Sequence, residues 1–158
     1  MEKHNKDHMG VACSKDKEKE SVDSIDLVNK NIGAWKASKI ASKSLPELRY
    51  VNLSVNPLGV WGARTLSRNT TWKNLSGLSL AYCDLGPAGA RALAKNKSWV
   101  NLSIINLTDN HIGNEGAIAL SKNTSWKNLS TIILNCNNIS VDGEEAIGKR
   151  WPEAQVSC

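Results

Sequence analysis

Apolar residues return along this chain in one fixed phrase. From Leu48 the skeleton runs Leu48, Val51, Leu53, Asn56, Leu58, Gly59, Gly62, Ala63 and Leu66, and the same phrase reopens at Leu75, Leu102 and Leu129, each time 27 residues later. The third unit reads Leu75, Leu78, Leu80, Cys83, Leu85, Gly86, Gly89, Ala90 and Leu93; the fourth reads Leu102, Ile105, Leu107, Asn110, Ile112, Gly113, Gly116, Ala117 and Leu120. The fifth keeps Leu129, Ile132, Leu134, Asn137 and Ile139, then departs, with Ser140 in place of glycine and Glu144 in place of alanine. A degenerate first unit, one residue shorter, is placed at Val22, Ile25, Leu27, Ile32, Gly33, Ala37 and Ile40, so that five units fill residues 22 to about 150.

The period changes inside each unit. Val51-x-Leu53 and its copies alternate, as a strand with one buried face does, whereas Ala63-x-x-Leu66 and its copies step by three to four, as a helix face does. One strand and one helix per unit, repeated at a constant period, predict an α/β solenoid. Its parallel sheet lines the concave face, because helices are wider than strands and take the outer, convex side.

Several rows follow from this register. The glycines after each strand close a turn, and Gly62, Gly89 and Gly116 let each helix start close to the layer beneath it. Asn56, Asn110 and Asn137 recur at the strand exit, where a buried amide can satisfy backbone groups of adjacent turns. Cys83 occupies the same row, which makes it an internal ladder residue rather than a nucleophile. Trp72, Trp99 and Trp126 precede the opening leucines by three residues, with Leu45 in the equivalent earlier place; they are predicted to stack between helix and strand. Trp35 and Trp61 share another phase, just before the helix, where later units carry Ala88, Glu115 and Asp142. They are either a contact patch or a cover for the N-terminal end of the stack. Trp151 is the candidate seal of the other end, since terminal units of a solenoid must close the core.

Leu48 to Leu66, with its copies, resembles leucine-rich repeats of the ribonuclease-inhibitor type over residues 22 to about 150. The recurring ending Ala94-Lys95-Asn96-Lys97-Ser98-Trp99 and Ser121-Lys122-Asn123-Thr124-Ser125-Trp126 is similar to arrays in bacteria that live inside eukaryotic cells and to parts of immune receptors, with Trp where Leu is more usual. The resemblance implies a short horseshoe that binds another protein on its concave sheet. The outward strand positions would be Tyr50, Asn52 and Ser54; Gly77, Ser79 and Ala81; Ile104, Asn106 and Thr108; and Thr131, Ile133 and Asn135, joined by Tyr82, Asp109 and His111 at the strand exits. A concave surface that is merely solvated, with contacts elsewhere, is the competing expectation. The implied function is a non-enzymatic interaction scaffold, used as a bacterial effector on host proteins or as an immune-type recognition module. The alternative is a GTPase-activating protein of the Ran-activator type, against which stand the basic rim and the lack of an extended acidic tail.

Composition adds boundaries and exclusions. Residues 1–20 are nearly all charged or polar and are expected to form a disordered tail before a repeat domain at 21–158. That tail balances five Lys against five Asp and Glu, so the net charge of +5 resides in the repeats. Arg68, Lys95 and Lys122 form one basic row and Lys73 and Lys127 another; the first either complements helix C-termini or faces an acidic partner. Nucleic acid is not expected, because these charges lack interleaved exposed aromatics. No apolar run approaches the roughly 18 residues of a membrane span and no secretory signal is recognisable, so a cytoplasmic location is expected, or a host cytosol for an effector. Four scattered cysteines indicate neither a disulfide framework nor a zinc site, and no cofactor is expected. The nine Asn-x-Ser/Thr sequons are read as a by-product of repetition. In the tail, His4, His8 and Cys13 with Asp7 lack a rigid geometry for zinc. Met9-Gly10-Val11-Ala12-Cys13-Ser14 fits an acylation signal only if Gly10 becomes the N-terminus, and membrane contact is tied to that event.

Overall fold

The computed structural model describes residues 22–157. The polar tail, its histidines, Cys13 and the Gly10 signal lie outside the described residues, as does Cys158. The chain alternates β1 (Ser24–Asp26), α1 (Ala34–Ala41), β2 (Tyr50–Asn52), α2 (Gly59–Ser67), β3 (Gly77–Ser79), α3 (Gly86–Leu93), β4 (Ile104–Asn106), α4 (Gly113–Ser121), β5 (Thr131–Ile133), α5 (Val141–Arg150) and β6 (Gln155–Ser157). All strands are parallel and pair in sequence order. Register partners such as Tyr50, Gly77 and Ile104 occupy the same place in successive units, so the 27-residue period is the rise of one turn.

The sixth strand goes beyond the five-turn reading. Gln155 pairs with Thr131 and Val156 with Ile132. Ala154 N–H donates to the Trp151 carbonyl as Leu129 N–H donates to that of Trp126, so Trp151 to Ala154 is a shortened copy of the repeat opening. The leucines that mark the other units are missing there, so periodicity alone does not extend to it.

Each strand is only three residues long, and the stack is held by hydrogen bonds that continue past it. Leu53, Leu80 and Leu107 N–H groups donate to carbonyls of the next turn at 2.8–2.9 Å. Just beyond, the Asn110 amide donates to the Leu80, Leu107 and Thr108 carbonyls at 2.7, 2.9 and 3.1 Å, while its oxygen accepts from Cys83 and Leu85 N–H. Asn56 and Asn137 repeat the arrangement. The Asn-Leu-Ser phrase also has a structural use. Asn74, Asn101 and Asn128 donate to the preceding turn at 2.9–3.1 Å, and Ser76, Ser103 and Ser130 hydroxyls do so at 3.0–3.1 Å.

A second buried amide ladder was not recognised in the sequence. Asn69, Asn96 and Asn123 follow the helices, accept from the N–H of Trp72, Trp99 and Trp126 at 2.9–3.0 Å, and donate to the preceding turn. Arg150 stands 27 residues after Asn123 and ends the ladder, its Nε donating to the Asn123 carbonyl at 2.6 Å.

The core lies between sheet and helices, and the predicted tryptophan row runs through it. Trp72, Trp99 and Trp126 are fully buried. Trp99 stacks on Trp126 and Trp126 on Trp151, each at 6.3 Å between centroids. Trp151 is therefore the last rung of that row as well as its seal. Among the described residues, the indole N–H groups of Trp99 and Trp126 have no hydrogen-bond partner, a cost of about 1–3 kcal/mol each. Burial of a ring supplies up to about 5 kcal/mol, so packing outweighs the unpaired donor.

Glycine is required where neighbouring helices meet. A Cβ on Gly116 would lie 2.2 Å from Ile112 Cγ2 and 3.1 Å from Ala90 Cβ, whereas one on Gly148 in α5 would meet nothing within 4 Å. We therefore expect Gly116→Ala to destabilise the fold by about 1–3 kcal/mol through overpacking. Gly148→Ala should stabilise it by about 0.5–1 kcal/mol through lower unfolded-state entropy. Urea unfolding of the two variants checks both signs.

Candidate functional site

The sheet positions read from the sequence as outward divide into two kinds. Tyr50 and Ile104 are exposed, at 42% and 46%, and Asn52, Ser79, Asn106, Thr108, Thr131, Ile133 and Asn135 are half-buried on the same face. Ser54, Gly77 and Ala81 are buried, contrary to expectation. The cause is local: the Tyr50 ring leans over Gly77, where a Cβ would lie 2.6 Å from Tyr50 Cδ2. Ser54 and Ser79 hydroxyls bond each other at 2.8 Å, and Ala81 N–H donates to the Ser54 oxygen. The face thus presents Tyr50 and Ile104 on either side of a glycine strand, above a floor of small polar groups and the half-buried Ile133.

At the strand exits the chain turns through the left-handed region. Val55, Tyr82, Asp109 and Cys136 occupy one such row, and Asp84, His111 and Asn138 the next. Tyr82 has a φ of 56° and is 54% exposed, and His111 is exposed beside it in the neighbouring row. Val55, which the sequence reading passed over, precedes Tyr82 by one turn, with its side chain in solvent at a φ of 59°. A β-branched residue there is strained, so its exposed apolar side chain is held at a conformational cost. Its signal in the sequence was its phase, 27 residues before Tyr82.

The second candidate surface lies on the convex side. Trp35 and Trp61 are 71% and 68% exposed and stand inside the first turns of α1 and α2, rather than just before the helices. Lys39 Nζ lies 5.4 Å from the Trp35 ring centre, and the Arg64 guanidinium 4.8 Å from that of Trp61. Their side chains lie in solvent, so they do not cover the N-terminal end of the core. Exposed aromatics do sit among basic residues here, contrary to the expectation from the sequence. Arg68 and Lys122 take the C-cap positions of α2 and α4, and Lys95 follows the C-cap of α3, as the macrodipole reading requires.

Cys83 behaves as a ladder residue. Its thiol donates to the Leu53 and Ala81 carbonyls at 3.2 and 3.4 Å. Burial pushes it up to about 11, against the smaller opposite pull of the Asn56 and Val55 backbone. Among the described residues, no group of three His, Cys, Asp or Glu side chains could hold a metal ion, and no helix is long and apolar enough to cross a membrane.

A leucine-rich repeat family model matches residues 73–94 and 100–121, the stretches that contain β3 with α3 and β4 with α4. No curated protein matches the chain. With the parallel sheet and alternating helices, these two matches support a leucine-rich repeat protein, and the fold is that of an α/β leucine-rich-repeat solenoid.

Cys83→Asn should complete the strand-exit ladder and stabilise the fold by about 1 kcal/mol, the scale of one added hydrogen bond. It should also remove a pH dependence. The raised thiol contributes stability that is complete below about 8.5, the ordinary thiol value, and is lost as pH rises towards about 11, because the unfolded chain releases that proton first. Denaturation midpoints of parent and variant should therefore diverge further between pH 8.5 and 11.

Proposed function

We propose that this leucine-rich repeat chain is a non-enzymatic protein-interaction scaffold that binds its partner on the concave sheet and its exit rim. The observation that carries this reading is the exposure of Tyr50, Ile104 and Tyr82 on a face built mainly of small polar groups with Ile133 half-buried among them. Large rigid side chains surrounded by polar contacts are the usual energetic centres of protein interfaces. Leucine-rich repeats are generally binding scaffolds, and the family match supports that coarser assignment. Asn52, Ser79, Asn106, Thr108 and Ile133 supply the floor, and His111 the rim. Full helices on the convex side favour the ribonuclease-inhibitor-like type.

The proposed setting is a cytosol, either that of a host cell reached by a bacterial effector or that of a cell using an immune-type recognition module. What supports it is the resemblance of the Lys95 to Trp99 and Lys122 to Trp126 endings to such arrays. No specific observation favours GTPase activation over simple binding.

The test is affinity capture from such cytosols with the full chain, beside a Tyr50→Asp/Ile104→Asp variant and a Trp35→Ala/Trp61→Ala variant. The concave variant should lose its specific partner at least tenfold, the scale of removing two anchor residues. Its thermal midpoint should fall by no more than about 5 °C, because both side chains are part-exposed and only the Tyr50 ring covers another residue, Gly77. Retention of every partner by the concave variant would reject the reading.

A further inference from the structure

One column of the convex face changes character from turn to turn. At equivalent places on successive helices it carries Trp35, Trp61, Ala88, Glu115 and Asp142, so that two exposed indoles give way to a small residue and then to acid. The surrounding charge changes with it. Helices α1, α2 and α3 contain Lys36, Lys39, Arg64 and Arg91 and no Asp or Glu, while Glu115, Asp142, Glu144 and Glu145 are confined to α4 and α5. Where Ala88 replaces the indole, a groove of about 470 Å³ opens beside Trp61, lined by Arg64, Arg68, Arg91 and Lys95 with no acidic residue. Arg91 is paired with Glu115, whereas no salt bridge engages Arg64, Arg68 or Lys95 among the described residues.

We propose that the convex face of α1 to α3 docks on an anionic lipid surface, with Trp35 and Trp61 entering the headgroup layer and the groove beside Trp61 receiving a lipid phosphate. Indoles prefer the boundary between hydrocarbon and water, and basic side chains nearby gain energy from a negatively charged leaflet. The guanidinium of Arg64 lies over the Trp61 ring and lines the groove as well, which puts the anchor and the phosphate site side by side. The shape favours a lipid surface over the other occupants. Both rings already carry a cation against one face, which removes that face from base stacking with a nucleic acid. Their helix neighbours are Lys36, Lys39 and Arg64 rather than an apolar ring that would keep a protein interface dry. Sequence alone ties membrane contact to acylation at Gly10; this surface needs no such modification.

The experiment uses the full chain with phosphatidylcholine vesicles, with and without about 30% phosphatidylserine, read by co-sedimentation and by tryptophan emission. Trp72, Trp99, Trp126 and Trp151 are buried, so a blue shift on vesicle addition reports Trp35 and Trp61. Expected are binding and a blue shift with the anionic vesicles only, weakening between low and high salt. Trp35→Ala/Trp61→Ala should abolish the shift. Arg64→Gln/Arg68→Gln should weaken partitioning roughly tenfold or more, the scale of two basic groups leaving an anionic leaflet. Tyr50→Asp/Ile104→Asp should bind vesicles normally, which separates this surface from the concave one. Equal binding to neutral vesicles, no binding at low salt, or undiminished binding by the tryptophan variant would overturn the proposal. So would the same emission change with glycerophosphoserine, poly-glutamate or a single-stranded oligonucleotide alone, each of which would assign the surface to a different ligand.

Discussion

The solenoid depends on how one turn satisfies the backbone of the turn beside it. Strands of three residues leave the peptide groups at the strand exits and after the helices outside any sheet ladder, yet the chain is buried between turns at those places, at Asn56, Asn110 and Asn137 and at Asn69, Asn96 and Asn123. Each buried group left unpaired would cost about 1–3 kcal/mol, and several per turn would cancel the gain from leucine burial. Asn56, Asn110 and Asn137 remove that cost at the strand exit, and Asn69, Asn96 and Asn123 remove it after the helix. Both ladders act between turns, so they set the stacking distance and keep the turns in register. The leucines and tryptophans then fill a space whose dimensions are already fixed.

Cys83 illustrates the consequence of a weaker rung. A thiol offers a poor donor and a poor acceptor, and the turn before it adjusts by closing a local bond from Leu58 N–H to the Asn56 carbonyl at 2.7 Å. The equivalent amides of the fourth and first turns, Ile112 and Ile32 N–H, reach an asparagine oxygen in the next turn instead. Val55, one residue before this adjustment, sits in the left-handed region that asparagine or aspartate would adopt more readily.

Architecture was legible because it is written redundantly. Leu48, Leu75, Leu102 and Leu129 state the same geometry four times, and the Trp72 row and the strand-exit asparagines follow at the same phase. The second asparagine row is equally periodic, but it stands directly after Arg68, Lys95 and Lys122, whose charge marks the same stretch as a surface rim and masks a buried amide. The sixth strand was missed because Ala154 and Val156 carry too little apolar signal to mark a strand without its neighbours. Surface geometry was legible only in part. Alternation along a strand identifies which residues leave the core, as for Tyr50 and Ile104, but it cannot foresee that one of them folds over Gly77. The spacing from Trp35 to Lys39 and from Trp61 to Arg64 does follow helical periodicity, so those pairs were within reach once the residues were placed inside the helices.

In a stack whose turns contact only their neighbours, core columns are tied to the units on either side while surface columns are free to differ. The column from Trp35 to Asp142 uses that freedom. Two exposed indoles are solvated at a cost that no packing among the described residues offsets, and the cations placed beside them do not bury them. The concave face is chemically separate: its apolar groups project from strands, and the intervening core prevents either face from altering the other's side chains directly. A scaffold of this size thus keeps the sheet face and the helix face as independent surfaces, with the rigid ladders between them fixing the distance that separates them.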